Sequence, residues 1–203
     1  MICSDNQRAR TEAAQIIANG GLIAFRTDTF YGLGADPLNA TAVAKIRELK
    51  GREDSKPILL LISDADQLER FVVNRSDLFE RTAKANWPGP LTIIGAARPG
   101  LPSELTAGTN TIGVRLPADE NVRALVRICG GALTATSANV SGKPAACTAK
   151  DVEDYFPTGI DLIIDGGAVT VTEPSTVLDL SEAKPRIVRE GAIPRAALAD
   201  LLK

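Results

Sequence analysis

Apolar runs in this 203-residue chain are no longer than a strand, and they alternate with stretches whose apolar residues recur at helical spacing. That alternation leaves an α/β fold as the economical solution, because each apolar face must be covered by a neighbouring element. Residues 8–19 predict an amphipathic helix with Ala13, Ile16 and Ile17 inward, stopped by Gly20-Gly21. Residues 22–25 predict a short strand, and residues 26–34 a polar, glycine-bearing loop. Asn39 can cap a helix reaching Lys50, with Val43, Ile46 and Leu49 on one face. The unbroken run 58–62 predicts a strand covered on both faces. Helices are expected at 64–71, 76–87 and 117–129, then from Thr148 to about 155, and again after Pro194. Strands are expected at 91–97, 112–116, 162–164, 175–180 and 186–189, and a linking segment at 98–111 anchored by Leu101 and Leu105. With no repeat, low-complexity tract or interior linker, residues 1–203 read as one domain around a mixed, twisted sheet.

The side-chain inventory narrows the chemistry. Histidine is absent, so histidine-based nucleophilic triads and histidine-ligated metals are excluded. Cys3, Cys129 and Cys147 are far apart and form no C-x-x-C pair, which argues against a zinc site or disulfide framework and for a reducing compartment. No signal-peptide pattern opens the chain, and no run is long enough to span a bilayer, so a cytoplasmic location without membrane contact is expected. The net charge of −2 excludes a globally basic coat while leaving room for a local cationic cleft.

The stretch A-L-T-A-T-S-A-N-V-S-G at 132–142 starts as a buried strand and ends in hydroxyls, an amide and a glycine. Polar donors at a strand end are where α/β sheets bind ligands, although a plain turn has the same composition. Four other segments carry surplus donors. Gly32 and Gly34 follow a strand but lack the third glycine of a dinucleotide fingerprint, since Pro37 stands there. Lys50-Gly51-Arg52, with Lys56 nearby, suits a polyphosphate, and equally suits the negative end of a helix dipole. Arg115 in an apolar strand needs either an ion-pair partner or an anion in a cleft. Ser175-Thr176 and Arg189 are ordinary singly; together with the other segments they share an explanation.

These segments, in this order, resemble the YrdC-type family, the threonylcarbamoyl-AMP synthases. The carrying motifs are T-D-T-F-Y-G-L-G at 27–34, K-G-R at 50–52, W-P-G-P at 87–90, V-R-L-P at 114–117, T-S-A-N-V-S-G at 136–142, S-T-V-L-D at 175–179 and R-E-G at 189–191. The resemblance implies a YrdC-like α/β fold with a twisted mixed sheet around a large, positively lined cavity. It also implies that the chain ends with the catalytic domain, without the C-terminal domain of longer members. ATP, L-threonine and bicarbonate are the implied substrates, Mg²⁺ accompanies ATP, and threonylcarbamoyl-AMP and pyrophosphate are the products. The adenylate is expected to feed a downstream threonylcarbamoyl-transferase complex that modifies adenosine beside the tRNA anticodon, with direct tRNA contact possible.

Position by position, the resemblance assigns Lys50, Arg52, Lys56, Thr111, Ser137, Asn139 and Arg189 to the nucleotide. Lys50 and Arg52 are also the expected catalytic cations. Thr29, Arg115 and Ser175 fall at threonine-binding positions. Arg26, Asp28, Glu53 and Leu61 depart from the common pattern; some members have histidine at the last of these. Two other readings stand beside this one: an RNA-binding module of the same fold without nucleotide turnover, and a carbamoyl-transfer domain of the kind embedded in hydrogenase maturation proteins.

Overall fold

The computed structural model describes residues 1–51, 57–170 and 173–201. Among them the strands are β1 (Ile2–Ser4), β2 (Ile23–Arg26), β3 (Tyr31–Gly34), β4 (Leu60–Ile62), β5 (Val72–Val73), β6 (Leu91–Ala97), β7 (Thr111–Arg115), β8 (Ala132–Thr134), β9 (Thr136–Ser137), β10 (Leu162–Asp165), β11 (Thr176–Asp179) and β12 (Arg186–Arg189). The helices are α1 (Gln7–Ala18), α2 (Ala40–Lys50), α3 (Asp77–Asn86), α4 (Ser103–Thr106), α5 (Glu120–Ile128) and α6 (Ala149–Tyr155).

The strands form two mixed sheets rather than one. The first has the order β1-β10-β2-β3-β9; the second runs β12-β11-β6-β7-β4-β8, with β5 added beside β6. β1, β10 and β2 are parallel, and β3 returns antiparallel to β2. In the second sheet, parallel pairs (β11 with β6, β4 with β7) alternate with antiparallel ones.

The chain passes from one sheet to the other at Ala135, between β8 and β9. Thr134 sews the seam. Its backbone N–H donates to the Ala35 carbonyl at 3.0 Å, and its Oγ1 accepts from Ala35 N at 2.8 Å. One residue on, Ala135 N donates to the Leu59 carbonyl at 2.7 Å. The single strand expected at the start of 132–142 is thus split into β8 and β9, because consecutive backbone groups find partners in different sheets.

Two apolar clusters sit against these sheets. Ala13 and Ile17 of α1 and Val122, Leu125 and Val126 of α5 pack on Ile23, Phe25, Leu61, Leu133 and Ile164. The other cluster joins Val43 and Ile46 of α2 and Phe79 of α3 to Ala24, Leu60, Ile62, Ile93 and Val114. β4 alternates between the two, Leu60 and Ile62 on one side and Leu61 on the other, which is why its sequence is apolar throughout. Each such side chain, fully buried, contributes roughly 1.5–3 kcal/mol.

Local signals hold at the helix ends. Asn6, Asn39, Ser76 and Thr148 accept N-cap hydrogen bonds from Ala9, Ala42, Phe79 and Asp151, and Gly51 closes α2 in the left-handed region at φ 57°. Three expectations change, and the strands β1 and β5 and the short helix α4 appear where no element was expected. Residues 31–34 are a strand, not a loop, because hairpin pairing to β2 supplies the backbone bonds and Gly34 leaves room for the Phe25 ring. Residues 65–70 and 195–201 wind as 3₁₀ rather than α-helix. β1 and β5, three and two residues long, are too short to show a period.

Candidate functional site

A cleft of about 320 Å³ opens where the two sheets part, beside the seam at Ala135. Segments distant in sequence build it: the β2–β3 turn, residues 59–61 at β4, Thr92 of β6, the end of β7, the β9 segment, and residues 174–175 before β11 with the end of β12.

The turn is organised by Thr27. Its Oγ1 accepts from Thr29 N at 3.1 Å and Phe30 N at 3.2 Å, so the side chain substitutes for missing ladder partners and fixes Thr29 at the cleft. Arg115 is 4% exposed. Its Nε donates to the Gly89 carbonyl at 3.0 Å, Nη2 to Asp28 Oδ2 at 2.5 Å, and Nη1 to Thr29 Oγ1 at 3.4 Å. Gly89 belongs to the W-P-G-P turn, which carries a cis peptide between Trp87 and Pro88. Burial lowers the Arg115 pKa while Asp28 raises it, and a guanidinium stays charged across the ordinary pH range.

Arg189, at the end of β12 in the same sheet as Arg115, also lines the cleft. Its Nε and Nη2 donate to the Ser175 carbonyl at 3.2 and 2.9 Å, and Nη2 also reaches Ser175 Oγ at 3.1 Å. Burial lowers its pKa first, and the positive field of Arg115 adds to that. Two guanidiniums that feel each other across a cleft are relieved by an anion between them. Lys143 also lines the cleft, and among the described residues no carboxylate does.

The T-S-A-N segment forms the third wall. Ser137 Oγ donates to Asn139 Oδ1 at 2.5 Å, and Asn139 Nδ2 donates to the carbonyls of Val140 at 3.1 Å and Lys143 at 2.6 Å. Lys50, 3% exposed, approaches this segment from the end of α2. Its ammonium donates to the Ser137 carbonyl, to the Asn139 carbonyl at 2.7 Å and to Asn139 Oδ1 at 3.4 Å.

Thr29, Arg115, Ser137, Asn139, Ser175 and Arg189 therefore meet around one cleft, with Leu61 in its wall. Lys50 holds the segment that carries Ser137 and Asn139 and is not itself among the lining side chains. Arg52 and Lys56 lie outside the described residues. Thr111 is not brought in. It begins the strand that Arg115 ends, and its Oγ1 pairs with Thr109 Oγ1 at 2.9 Å. Sequence reading passed over Thr92, Lys143 and the partnership of Asp28 with Arg115. Thr92 left a legible trace, a hydroxyl inside the apolar strand 91–97. Lys143 left none, being one surface lysine among several.

Comparison with known proteins follows the same lines. The Sua5_yciO_yrdC family model, described as telomere recombination, matches residues 15–191. The threonylcarbamoyl-AMP synthase of Pyrococcus abyssi is 40% identical over 90% of this chain and 54% of its own length. That of Bacillus subtilis is 36% identical over 98% of this chain and 58% of its own. The chain thus spans a little over half the length of these relatives. The crystal structure of P. abyssi Sua5 complexed with L-threonine superposes with a TM-score of 0.92 at 36% identity, covering 100% of this chain and 59% of that one.

Proposed function

The chain belongs to the Sua5/YciO/YrdC family, and from that premise we propose that it forms threonylcarbamoyl-AMP from ATP, L-threonine and bicarbonate, with release of pyrophosphate. One observation carries the reading: Arg115, Arg189 and Ser175 face Ser137 and Asn139 across a single cleft. Among the described residues, three cationic side chains and no carboxylate line the cleft, which suits a reaction between anions. The relatives named as synthases, and the relative whose structure holds L-threonine, supply the substrate class.

In this reading Arg115 holds the threonine carboxylate. Asp28 and the Gly89 carbonyl fix the guanidinium plane, leaving Nη1 and its neighbour Thr29 toward the ligand. The neutral threonine amine adds to the bicarbonate carbon, water leaves, and a carbamate results. A carbamate oxygen then attacks the α-phosphorus of ATP, and the bond to pyrophosphate breaks. The obstacle is the approach of two anions, so positioning and fixed positive charge supply most of the acceleration. Ser137 and Asn139 would contact the nucleotide, and Arg189 and Lys143 would offset phosphate charge. Arg52 and Lys56 are the further cations this reading assigns to the phosphates. Lys50 would act through Ser137 and Asn139, whose carbonyls it gathers. Magnesium enters bound to the nucleotide. The described lining offers hydroxyl, amide and carbonyl oxygens but no carboxylate, so these residues do not make a dedicated metal site. The adenylate would pass to a separate threonylcarbamoyl-transferase complex acting on tRNA.

Pyrophosphate release from ATP is the test, with threonine and bicarbonate each omitted in turn. Release that requires both supports the reading. Salt-sensitive RNA binding without any pyrophosphate would overturn it in favour of an RNA-binding module.

A further inference from the structure

A second cleft, also of about 320 Å³, lies apart from the first, and among the described residues the two share no lining residue. It opens at the carboxyl ends of three parallel strands. β1 ends at Ser4, β10 at Asp165 and β2 at Arg26, and all three residues line it. Such strand ends are where α/β sheets receive ligands. The floor is apolar: Phe25, Val122, Leu125 and Ile164 line it and are 1–4% exposed.

The charges around that floor are unequally matched. Arg10 donates to both carboxylate oxygens of Asp5, at 2.6 and 2.9 Å, and to Asn121 Oδ1 at 3.2 Å. Arg26 is less well served. Its Nη1 donates to Asp119 Oδ2 at 3.0 Å, while its Nε is buried with no hydrogen-bond partner among the described residues. A buried N–H without an acceptor carries the full cost of leaving water. On the neighbouring strand, Asp165 Oδ1 accepts from Tyr31 Oη at 3.1 Å and from Gly167 N at 2.9 Å. Among the described residues no protein group donates to its second oxygen. β10 and β2 pair in parallel with Ile164 opposite Phe25, so Asp165 and Arg26 stand side by side at the strand ends. Gly166 lets the arginine lie close, since a Cβ there would come within 3.0 Å of Arg26 Cβ and 3.1 Å of its Cδ.

This lining selects for a ligand carrying both charges. Three carboxylates stand against two guanidiniums, which repels phosphates. What remains unmatched is one guanidinium edge and one carboxylate oxygen on adjacent strands, above hydrocarbon. We propose that this cleft is a binding site for a zwitterionic α-amino acid with an aliphatic side chain. The ligand carboxylate meets Arg26, its ammonium meets Asp165 Oδ2, and its side chain lies on Phe25, Val122, Leu125 and Ile164. Nε is closed to water, so binding turns the guanidinium toward the cleft and gives Nε its acceptor. The proposal is independent of the synthase reading.

Isothermal titration of the whole chain tests it with three probes: L-leucine, 4-methylpentanoate, which lacks the ammonium, and 3-methylbutylamine, which lacks the carboxylate. Leucine should bind saturably, and each analogue about ten- to a hundredfold more weakly, the scale of losing a charge-assisted contact. Arg26→Gln and Asp165→Asn should each weaken leucine by a similar factor. The asparagine keeps Oδ1 for Tyr31 and Gly167, and circular dichroism checks that both variants fold; either one alone decides. Arg115→Ala, in the first cleft, should leave leucine affinity within about twofold. Leucine binding that survives both Arg26→Gln and Asp165→Asn would overturn the proposal. So would analogues as tight as leucine, tighter binding of inorganic phosphate, or no saturable heat at about 10 mM leucine.

Discussion

Arg115 was legible as an anomaly, a charge in the run I-G-V-R-L that needed an ion-pair partner or an anion in a cleft. It is ion-paired to Asp28, and it stands in the cleft with one nitrogen toward Thr29. Truncation should therefore cost binding more than folding chemistry alone predicts. Arg115→Ala is expected to raise the KM for threonine by roughly a hundredfold, the scale of losing a charge-assisted contact, and to leave the KM for ATP within a few-fold. Steady-state kinetics with each substrate varied would check this. Lys50 carries the opposite lesson. Its sequence context, a cation at a helix C-terminus, points outward to phosphate or solvent, yet its ammonium is turned onto the Ser137 and Asn139 carbonyls. Chain spacing says nothing about such a turn, because the acceptors are 87 and 89 residues away.

Among the elements, the β2–β3 hairpin is the one that composition conceals. Y-G-L-G has weak strand propensity, and glycine in a strand usually marks a close approach. Here the approach is that of Phe25, whose ring would stand 2.8 Å from a Cβ on Gly34. Gly34→Ala should accordingly destabilise the protein by about 1–3 kcal/mol, the cost of overpacking a tight core. Urea unfolding read by circular dichroism would show it as a lower midpoint with an unchanged slope. Gly32, whose Cβ would meet only ordinary contacts at 3.6 Å, provides the tolerant comparison. The capped helices, by contrast, were readable from single residues, since N-cap chemistry is local.

Across the molecule, two buried weak acids tie stability to alkaline pH. Tyr31 is pushed up to about 12 from an ordinary 10, by burial first and then by its hydrogen bond to Asp165. Cys129 is pushed up to about 12 from 9 by burial alone. Both fold with the proton on and would lose it sooner when unfolded. Their contribution is whole below pH 9–10 and is lost as pH rises toward 12. Denaturation midpoints should therefore fall between pH 8.5 and about 11, and Cys129→Val should flatten part of that decline. Alkylation gives a second readout. At pH 9 iodoacetamide should leave Cys129 unmodified in the folded protein and label it once denaturant is added, as mass spectrometry would show.

Periods, caps and the inventory of donors are properties of neighbours along the chain, so the α/β class, the helix ends and the unusual strand arginine could be read from the amino acids in order. Which donors share a cleft is a property of pairing over long separations. The crossing at Ala135 brings Ser137 beside Gly32, and the parallel pairing of β4 with β7 sets Leu61 against Arg115. At about 3.3 Å of rise per residue, Thr111 is held roughly a dozen ångströms from Arg115, at the other end of β7. The Thr92–Ser175 contact, which Arg189 extends, is more remote still from sequence, because it joins β6, the residue before β11 and the end of β12 within hydrogen-bonding distance. Backbone hydrogen bonding decides such meetings, and it is satisfied only when the sheets have formed.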